Sequence, residues 1–304
     1  MKIAIFGAGV QGTLYGVRLA RAGHDVTLIA RGKRAVELSS QGAVVEEALS
    51  GRTDTMKLPI VEALTPNVAA DLCFITVRRE QLMDVLPACA AAHEIKRFVF
   101  MVNHANGSDA FFTAIGRDRV VLGFPGAAGG IENGVDYYVE VAEQATAIEA
   151  IAPDVAAVLK GAGFRVELVG DMDSWLKRHA VFVTAICGGI YTAGGDAHRL
   201  STDPALVREI ILAVREGWSA LDAHGAAPAP LPLRVIFCWM PLPFAVKYWC
   251  RLFGSERGEH YFARHARHAA LEMRALAADV RALSGDFAMP HLRVLYAAID
   301  RAAT

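Results

Sequence analysis

The feature that most constrains this chain is a glycine-rich turn between a strand and a helix near its N-terminus. The segment KIAIF predicts a buried strand, GAGVQG follows it at once, and TLYGVRLARAG has the periodicity of a helix that ends at Gly23. HDVTLIAR then predicts a second strand, so the turn lies inside a β-α-β unit. This order predicts the first part of a doubly wound dinucleotide-binding sheet.

The three glycines of the turn have the spacing G-x-G-x-x-G, and each has a different expected purpose. The first permits the tight turn, the second lets the backbone approach a pyrophosphate, and the third allows close packing of helix on strand. The phosphates would meet the free N–H groups and the positive end of the helix dipole. The alternative is a nucleotide-free fold that uses the glycines only for packing. The residues expected at the cofactor are Gly7, Ala8, Gly9, Val10, Gln11 and Gly12.

The end of the second strand, LIARGKR, indicates which dinucleotide to expect. NAD-binding folds usually carry an acid there, which binds the ribose 2′-OH. Here Arg31 takes that position, with Lys33 and Arg34 close behind. Because an acid is absent and cations are present, a 2′-phosphate is favoured, and with it NADP(H). The alternative is a solvated basic loop.

Later strands are expected to deliver polar residues to the carboxyl edge of the sheet, where ligands bind in such folds. The strand in ADLCFITV leads to Arg78 and Gln81, and the strand in RFVFMV leads to Asn103, His104 and Asn106. Beyond them, GVDYYVEV and EQATAIEAI alternate like antiparallel strands that close the same sheet.

The second half of the chain reads as helical. We therefore predict an α/β Rossmann-type dinucleotide-binding domain at 1–170, followed by an all-α domain for substrate binding and dimerisation at 171–304. The stretches with helical periodicity are 173–193, 203–223, 256–283 and 289–302.

Composition narrows the classes of partner. A net charge of -1 and a pI near 6.8 favour neither nucleic acid nor an anionic membrane. The five scattered cysteines predict reduced thiols in a cytoplasmic protein, and no leader segment is visible. The apolar stretch 231–253 is interrupted by prolines and is too broken to span a bilayer. We expect it to cover a cleft or a homodimer interface, with contact to a membrane surface as the alternative.

These motifs together resemble the ketopantoate reductase family, also called 2-dehydropantoate 2-reductase. The resemblance rests on MKIAIFGAGVQGTLYGVRLARAGHDVTLIAR, TVRREQ, VNHANG and SWLKRHAVF, and it extends to the closing AMPHLRVLYAAI. It is continuous through the N-terminal half and weak between the last two motifs. It implies a cytoplasmic NADPH-dependent enzyme of pantothenate biosynthesis that reduces 2-dehydropantoate to pantoate.

Residue by residue, the resemblance assigns roles beyond the three pyrophosphate-binding glycines. It implies that Arg31 binds the adenosine 2′-phosphate and that Lys177 donates the proton. Asn103 matches an asparagine that lies by the nicotinamide and the substrate. Arg78 replaces the family's usual lysine and keeps its charge, and Gln81 matches a glutamine.

The chain also departs from the family pattern. His104 stands where glycine is usual, which makes it an alternative acid or a loop histidine that faces solvent. Val181 and Ala185 replace two substrate-binding asparagines, and Glu272 is the best candidate for a displaced acid. Since residues i, i+4 and i+8 share a helix face, Lys177, Val181 and Ala185 form one stripe. These replacements indicate a substrate less polar at that end than ketopantoate.

Other polar residues have weaker signals. His179 is two residues from Lys177, so we expect it to face elsewhere and to pack. His265, His268 and Glu272 have helical spacing that could suit a metal, but interleaved arginines favour a polar stripe, and no metal is expected. A 2-oxo acid needs a cation for its carboxylate. Four arginines that the sequence does not distinguish could supply it: Arg251, Arg257, Arg264 and Arg267.

Two further functions stay open at this stage. One is a dehydrogenase of the same fold that acts on another hydroxy acid, or reductively on an amine. The other is a redox sensor that binds NADP(H) without turnover. For the reductase and for the dehydrogenase alike, the expected partner is a small-molecule substrate.

Overall fold

The computed structural model describes residues 1–284 and 287–304, and the chain divides into two compact units. The first, the α/β unit, comprises 1–102 and 107–172, and the second, the helical unit, comprises 103–106 and 173–304. The predicted fold class, an α/β dinucleotide-binding part followed by an all-α part, is confirmed. Four residues between the pieces of the α/β unit cluster with the helical unit, which no sequence pattern indicated.

The larger sheet of the α/β unit is built around β1 (Lys2–Phe6). It pairs in parallel with β2 (Asp25–Ile29) on one side and with β6 (Ala70–Ile75) on the other. Every neighbouring pair is parallel except β11 (Thr146–Glu149) with β8 (Val120–Phe124). In spatial order the strands are β12 (Val166–Val169), β11 (Thr146–Glu149), β8 (Val120–Phe124), β7 (Ile95–Met101), β6, β1, β2 and β5 (Ile60–Val61).

The strands at the centre of this sheet are apolar because the helices that connect them cover the sheet. Ile5, Phe74 and Val99, one from each of three adjacent strands, are fully buried. Strands with continuous apolar runs are typical of parallel sheets covered on both faces. The connecting helices are α1 (Val10–Arg21), α2 (Gly32–Gln41), α3 (Leu82–Ala91), α4 (Asp109–Ile115) and α5 (Pro153–Gly161).

A second, four-stranded sheet corrects one prediction. Thr146–Glu149 does join the large sheet, but Val135–Glu140 (β10) does not. It forms a hairpin with β9 (Ala127–Glu132) through the positive-φ pair Asn133 and Gly134, and it pairs with β3 (Ala43–Glu47). No sequence pattern predicted β3 or its partner β4 (Arg52–Met56). The strand β10 was therefore expected to pair in the large sheet.

The helical unit is organised around α6 (Met172–Thr192) and α8 (Pro204–Ala223), which share an apolar core with the last helix. The predicted helix at 256–283 is broken at Ala269 and includes a π-helical turn over Glu259–Ala263. The remaining helices are α7 (Ala197–Ser201), α9 (Leu231–Arg234), α10 (Leu242–Phe253), α11 (Glu256–Gly258), α12 (Arg264–His268), α13 (Ala270–Ser284) and α14 (Pro290–Ala302).

The apolar stretch 231–253 folds as α9, a π-helical turn over Val235–Trp239, and α10. One set of large apolar side chains along it is exposed, and we call this set the apolar surface. No helix in the described part of the chain is long and apolar enough to cross a membrane. The apolar surface consists of Leu231, Val235, Trp239, Phe244 and Tyr248.

Candidate active site

The glycine-rich turn has the geometry that its spacing predicts. Gly7 has φ +110°, and a Cβ there would lie 2.9 Å from the Thr76 backbone at the end of β6. A Cβ on Gly12 would lie 1.9 Å from the Gly7 carbonyl oxygen. A Cβ on Gly9 would meet nothing within 4 Å. The first and third glycines are therefore required by the fold, whereas the second leaves open space.

The start of α1 offers the donors that a pyrophosphate needs. Gly9 caps the helix, and no acidic residue lies in its first turn. The N–H groups of Val10 and Gln11 precede the first intrahelical donor, Thr13, which bonds the Gly9 carbonyl oxygen at 2.9 Å. Open space beside Gly9 and a helix N-terminus without a carboxylate fit the phosphates of a dinucleotide.

Gln11 links this turn to the second sheet. Its Nε2 donates to the Ala127 carbonyl oxygen at 2.6 Å. Its Oε1 is buried and accepts no hydrogen bond within the described residues. A buried acceptor beside the turn is a position where a donor from a bound molecule would be stabilising.

Arg34 takes a position that its sequence context did not suggest. Its guanidinium donates to the Ala8 carbonyl oxygen at 2.8 Å, to Thr13 Oγ1 at 3.1 Å and to the buried carboxylate of Asp136. Arg34 therefore holds the glycine-rich turn from inside. Burial raises the pKa of Asp136 to about 6, although Arg34 opposes that shift.

The other two basic residues after β2 face outward. Arg31 is the residue before α2, and its side chain is exposed. Lys33 is 93% exposed and lies 3.7 Å from Glu37, a weak surface pair. Because Arg34 is engaged inside the unit, Arg31 and Lys33 are the cations of this segment that can meet a 2′-phosphate.

The loop after β6 holds Arg78 and Gln81 beside the glycine-rich turn. Thr76 Oγ1 donates to the Gly7 carbonyl oxygen at 2.6 Å, which ties this loop to that turn. The Gln81 side chain accepts from the Arg78 N–H at 3.4 Å, and the Arg78 side chain is exposed. The two predicted residues thus share one short turn at the carboxyl edge of the sheet.

The residues after β7 are buried within the helical unit. Asn103 is 8% exposed and His104 is fully buried. The alternative of a solvent-facing His104 is therefore wrong. The Ala105 N–H donates to Asp279 Oδ2 on α13 at 3.4 Å, so an acid from the helical unit helps to hold this segment.

Lys177 reaches the surface from the first turns of α6. Its side chain is 23% exposed, while the flanking Leu176 and Arg178 are buried. Its Nζ lies 2.5 Å from Asp173 Oδ2 one turn earlier. Arg178 fixes this end of the helix by donating to the Trp218 carbonyl oxygen on α8 at 2.8 Å. The lysine thus combines an anchored backbone with an accessible ammonium group.

Val181 and Ala185 lie in the core of the helical unit. Both are buried, and a Cβ on Gly217 of α8 would lie 2.6 Å from a Val181 methyl group. Neither side chain reaches solvent within the unit. The substrate contact that the sequence assigns to them stays a prediction.

Two acids on α13 lie near different parts of the unit. Glu272 is half-buried, and its charge adds to burial in raising the pKa values of Cys187 and Tyr191 on α6. Asp279, two turns later, is the acid beside Ala105. The role predicted for Glu272 stays a prediction, and Asp279 is an acid that the sequence analysis did not single out.

His179 is the site residue that sequence reasoning missed. It does pack, since its ring stacks on Trp175 with centroids 5.3 Å apart, but its Nδ1 also lies 3.2 Å from Asn103 Oδ1. The signal available in the sequence was the spacing of Trp175, His179 and Phe182, which places three rings on one helix face.

The candidate arginines and metal ligands differ in their surroundings. Arg267 is paired with Glu259 and donates to the Gly195 carbonyl oxygen at 3.0 Å, so it has an intramolecular role. Arg251 and Arg257 are exposed. Among residues 1–284 and 287–304, no group of three histidines, cysteines or acids could hold a metal ion.

The mainly parallel sheet and the glycine-rich turn are those of a dinucleotide-binding fold, and a helical unit accompanies them. Residues 3–152 match the family model described as ketopantoate reductase PanE/ApbA. A 2-dehydropantoate 2-reductase of Pyrococcus horikoshii is 32% identical over 107 residues, which are 35% of this chain and 33% of that protein. The match thus spans about a third of the curated relative. The likeness to the ketopantoate reductase family is therefore shown for this N-terminal region, residues 3–152.

Solved structures of similar fold cover the whole chain. D-mandelate dehydrogenase with NADH and anilino(oxo)acetate has a TM-score of 0.78 at 17% identity, over 100% of this chain and 98% of that one. A PanE/ApbA family ketopantoate reductase from Ralstonia eutropha JMP134 has 0.76 at 20%, over 100% and 98%. A 2-dehydropantoate 2-reductase from Geobacter metallireducens GS-15 has 0.75 at 17%, over 99% and 100%. At these identities the likeness shows the fold.

Proposed function

We propose that this protein is a cytoplasmic NADPH-dependent reductase of a 2-oxo acid, with ketopantoate as the first substrate to test. The observation that carries the proposal is the glycine-rich turn. Gly7 and Gly12 are locked by the fold, while Gly9 leaves space at a helix N-terminus. This turn lies in the region that matches the ketopantoate reductase family.

NADPH is preferred over NADH in this proposal because of the segment after β2. Arg31 and Lys33 are exposed, and no acid stands where a ribose 2′-OH would be bound. Arg31 is assigned to the 2′-phosphate, and Arg78 and Gln81 to the cofactor edge of the sheet. The relative D-mandelate dehydrogenase was solved with NADH, so the preference needs a direct test.

The protein's own groups complete a carbonyl reduction. The reduced nicotinamide supplies a hydride to the carbonyl carbon when bound. Lys177 gives a proton from its ammonium to the carbonyl oxygen, which becomes the hydroxyl, and the resulting amine regains a proton from water. Until that transfer, the positive charge of Lys177 stabilises the negative charge developing on the oxygen. Asp173 Oδ2, 2.5 Å from Nζ, holds the lysine side chain in place. Asn103 contributes an amide to the substrate or to the nicotinamide.

A second candidate function is the reduction of a 2-oxo acid with an apolar side chain. Val181 and Ala185 replace the asparagines that the family uses for ketopantoate, and Glu272 is the acid assigned to the substrate in their absence. A fold neighbour, D-mandelate dehydrogenase, was solved with anilino(oxo)acetate, an aryl-bearing oxo acid. The absence of both asparagines favours a substrate with an apolar side chain, while Val181 and Ala185 themselves are buried in the core of the helical unit.

A panel of 2-oxo acids tests both candidates. Cofactor oxidation is followed at 340 nm with NADPH and with NADH, for ketopantoate, branched aliphatic 2-oxo acids and aryl 2-oxo acids. Turnover on ketopantoate supports the first candidate, and turnover confined to apolar acids supports the second. Tight NADPH binding without turnover on any of them would contradict both and leave the redox sensor.

We also propose that the protein is a homodimer through the apolar surface. Trp239 and Phe244 are 60% and 66% exposed within one segment of the helical unit. Several large apolar side chains exposed along one segment are typical of an interaction site. Arg234 lies over the Trp239 ring at 5.2 Å, which gives the surface a polar margin.

A further inference from the structure

Asn103 is held in the helical unit by a side chain to which the reaction assigns no role. It follows β7 directly, yet it clusters with residues 173–304 and is buried. Its Oδ1 lies 3.2 Å from Nδ1 of His179 on α6. An amide at an active site can present either an oxygen or an NH₂ group to a ligand, so its orientation decides what it can bind.

The ring of His179 is itself fixed by packing. It lies parallel to Trp175, with 3° between the ring planes, and meets Phe182 edge-on with centroids 5.9 Å apart. The titratable group whose charge acts on it is His265 of α12, a helix of the same unit. Two aromatic neighbours leave the imidazole little freedom to rotate away from Asn103.

Burial keeps this imidazole neutral. Burial, and then the charge of His265, lower the pKa of His179 to about 3. A neutral imidazole carries one donor and one acceptor nitrogen. Since Asn103 Oδ1 can only accept, the partner nitrogen Nδ1 is the one that carries hydrogen. His179 is therefore expected to stay neutral near neutral pH.

We propose that His179 is a positioning residue that fixes the Asn103 amide with its oxygen inward and its NH₂ group available to a ligand. Asn103 then acts as a hydrogen-bond donor, either to the carbonyl oxygen of the 2-oxo acid or to the carboxamide oxygen of the nicotinamide. This assignment of the ligand rests on the proposed function, whereas the orientation of the amide does not.

Two substitutions at His179 separate positioning from packing. His179→Phe keeps a ring to stack on Trp175 but removes the donor. His179→Gln offers an amide N–H to Asn103 Oδ1 and removes the stacked ring. We expect kcat to fall about 10- to 100-fold in His179→Phe, which is less than the roughly 10²- to 10³-fold loss for removing an oriented donor itself. We expect His179→Gln to recover at least a third of the wild-type kcat, and NADPH affinity to stay within twofold in both.

The pH profile separates a positioning role from a role in proton transfer. If His179 only orients Asn103, kcat/KM keeps the same shape between pH 5 and 9 in wild type and His179→Gln. Loss of a limb of that profile in the variant would overturn the proposal, because it would make His179 a proton-transfer group. Equal loss of kcat in the Phe and Gln variants would also overturn it.

A measurement that needs no turnover keeps the result separate from the proposed function. The wild-type protein is labelled with ¹⁵N-histidine, and the His179 signal is identified by its loss in His179→Gln. We expect hydrogen on Nδ1 and no titration between pH 5 and 8. Hydrogen on Nε2, or an ordinary titration, would contradict the positioning role whether or not any 2-oxo acid is reduced. A positive NMR result without turnover would contradict only the proposed function.

Discussion

At the scale of single residues, the three glycines of the turn are needed for different reasons. Gly12 is needed because its neighbour, the Gly7 carbonyl oxygen, occupies the place of any side chain. Gly9 is surrounded by open space on the side where a Cβ would project. The same residue type is therefore required by the fold at Gly12, whereas at Gly9 we expect it to be required by the ligand.

This difference gives a matched pair of alanine variants. Gly9→Ala is expected to fold with an unchanged Tm but to raise the Kd for NADPH at least tenfold, because the methyl group would fill space needed by the phosphates. Gly12→Ala is expected to lose about 3 kcal/mol or more of unfolding free energy, at the upper end for overpacking. Thermal unfolding and fluorescence titration with NADPH measure the two effects. A normal NADPH affinity in Gly9→Ala would show that the pyrophosphate does not lie there.

Arg31 and Arg34 make a second pair. Arg31→Ala is expected to weaken NADPH binding about 10- to 100-fold and to leave NADH binding unchanged, as expected for one charge-assisted contact to the 2′-phosphate. Arg34→Ala is expected to lower Tm and to weaken both cofactors, because Arg34 bonds the Ala8 carbonyl oxygen. Kd values for both cofactors decide the matter. Equal losses for NADPH and NADH in Arg31→Ala would remove the basis for NADP(H) preference.

At the scale of elements, α2 is joined to the second sheet through one buried ion pair. Arg34 on α2 meets Asp136 on β10, whose Oδ1 is buried without a hydrogen bond in the described part of the chain. Burial outweighs the attraction of Arg34, and the pKa of Asp136 rises from 3.8 to about 6. Between these values the folded chain keeps a proton that the unfolded chain has released.

The sign of the resulting pH dependence is definite. The unfolded state binds fewer protons at this group, so the unfolding free energy falls as pH rises from about 4 to 6. At about 1.4 kcal/mol per pKa unit, Asp136 alone removes roughly 3 kcal/mol over that range. The variant Asp136→Asn has no carboxyl group at this position, so it lacks this titration. We expect urea unfolding of wild type, measured relative to Asp136→Asn, to lose about that amount between pH 4 and 6. A difference that is constant with pH would contradict the shifted pKa.

Elements were predictable where one local pattern determined them. The local pattern was enough for the first strand, the first helix and α6, because each has a run of apolar residues that is buried in the structure. The hairpin of β3 and β4 was missed because its strands, AVVEE and RTDTM, are mixed in polarity and rest on a partner far along the chain. No sequence pattern signalled the break at Ala269.

Site residues followed a similar division. Gly7, Gly9 and Gly12 could be assigned from spacing, since the turn is local. The inward position of Arg34 could not, because its partner Asp136 is 102 residues away. The contact of His179 with Asn103 spans 76 residues and was equally invisible.

At the scale of the whole molecule, the apolar surface is exposed in a single chain. A second copy is expected to bury it, so wild type should have twice the 32.6 kDa mass of one chain by light scattering. Trp239→Glu and Phe244→Glu together should give the single-chain mass. Ile151→Glu, at another exposed apolar residue, is the control and should leave the dimer intact. A single-chain mass for wild type would contradict the proposed interface.

The most direct test is single-turnover reduction by wild type and by Lys177→Ala, with NADPH at a saturating concentration. The substrate is the 2-oxo acid that wild type reduces fastest. Lys160→Ala, an exposed lysine near the end of α5, is the control. The account predicts that Lys177→Ala loses 10²- to 10⁴-fold in rate, the range for a general acid, while its NADPH Kd stays within twofold and Lys160→Ala behaves as wild type. Turnover at the wild-type rate in Lys177→Ala would show that the proton comes from another group and would contradict the central claim.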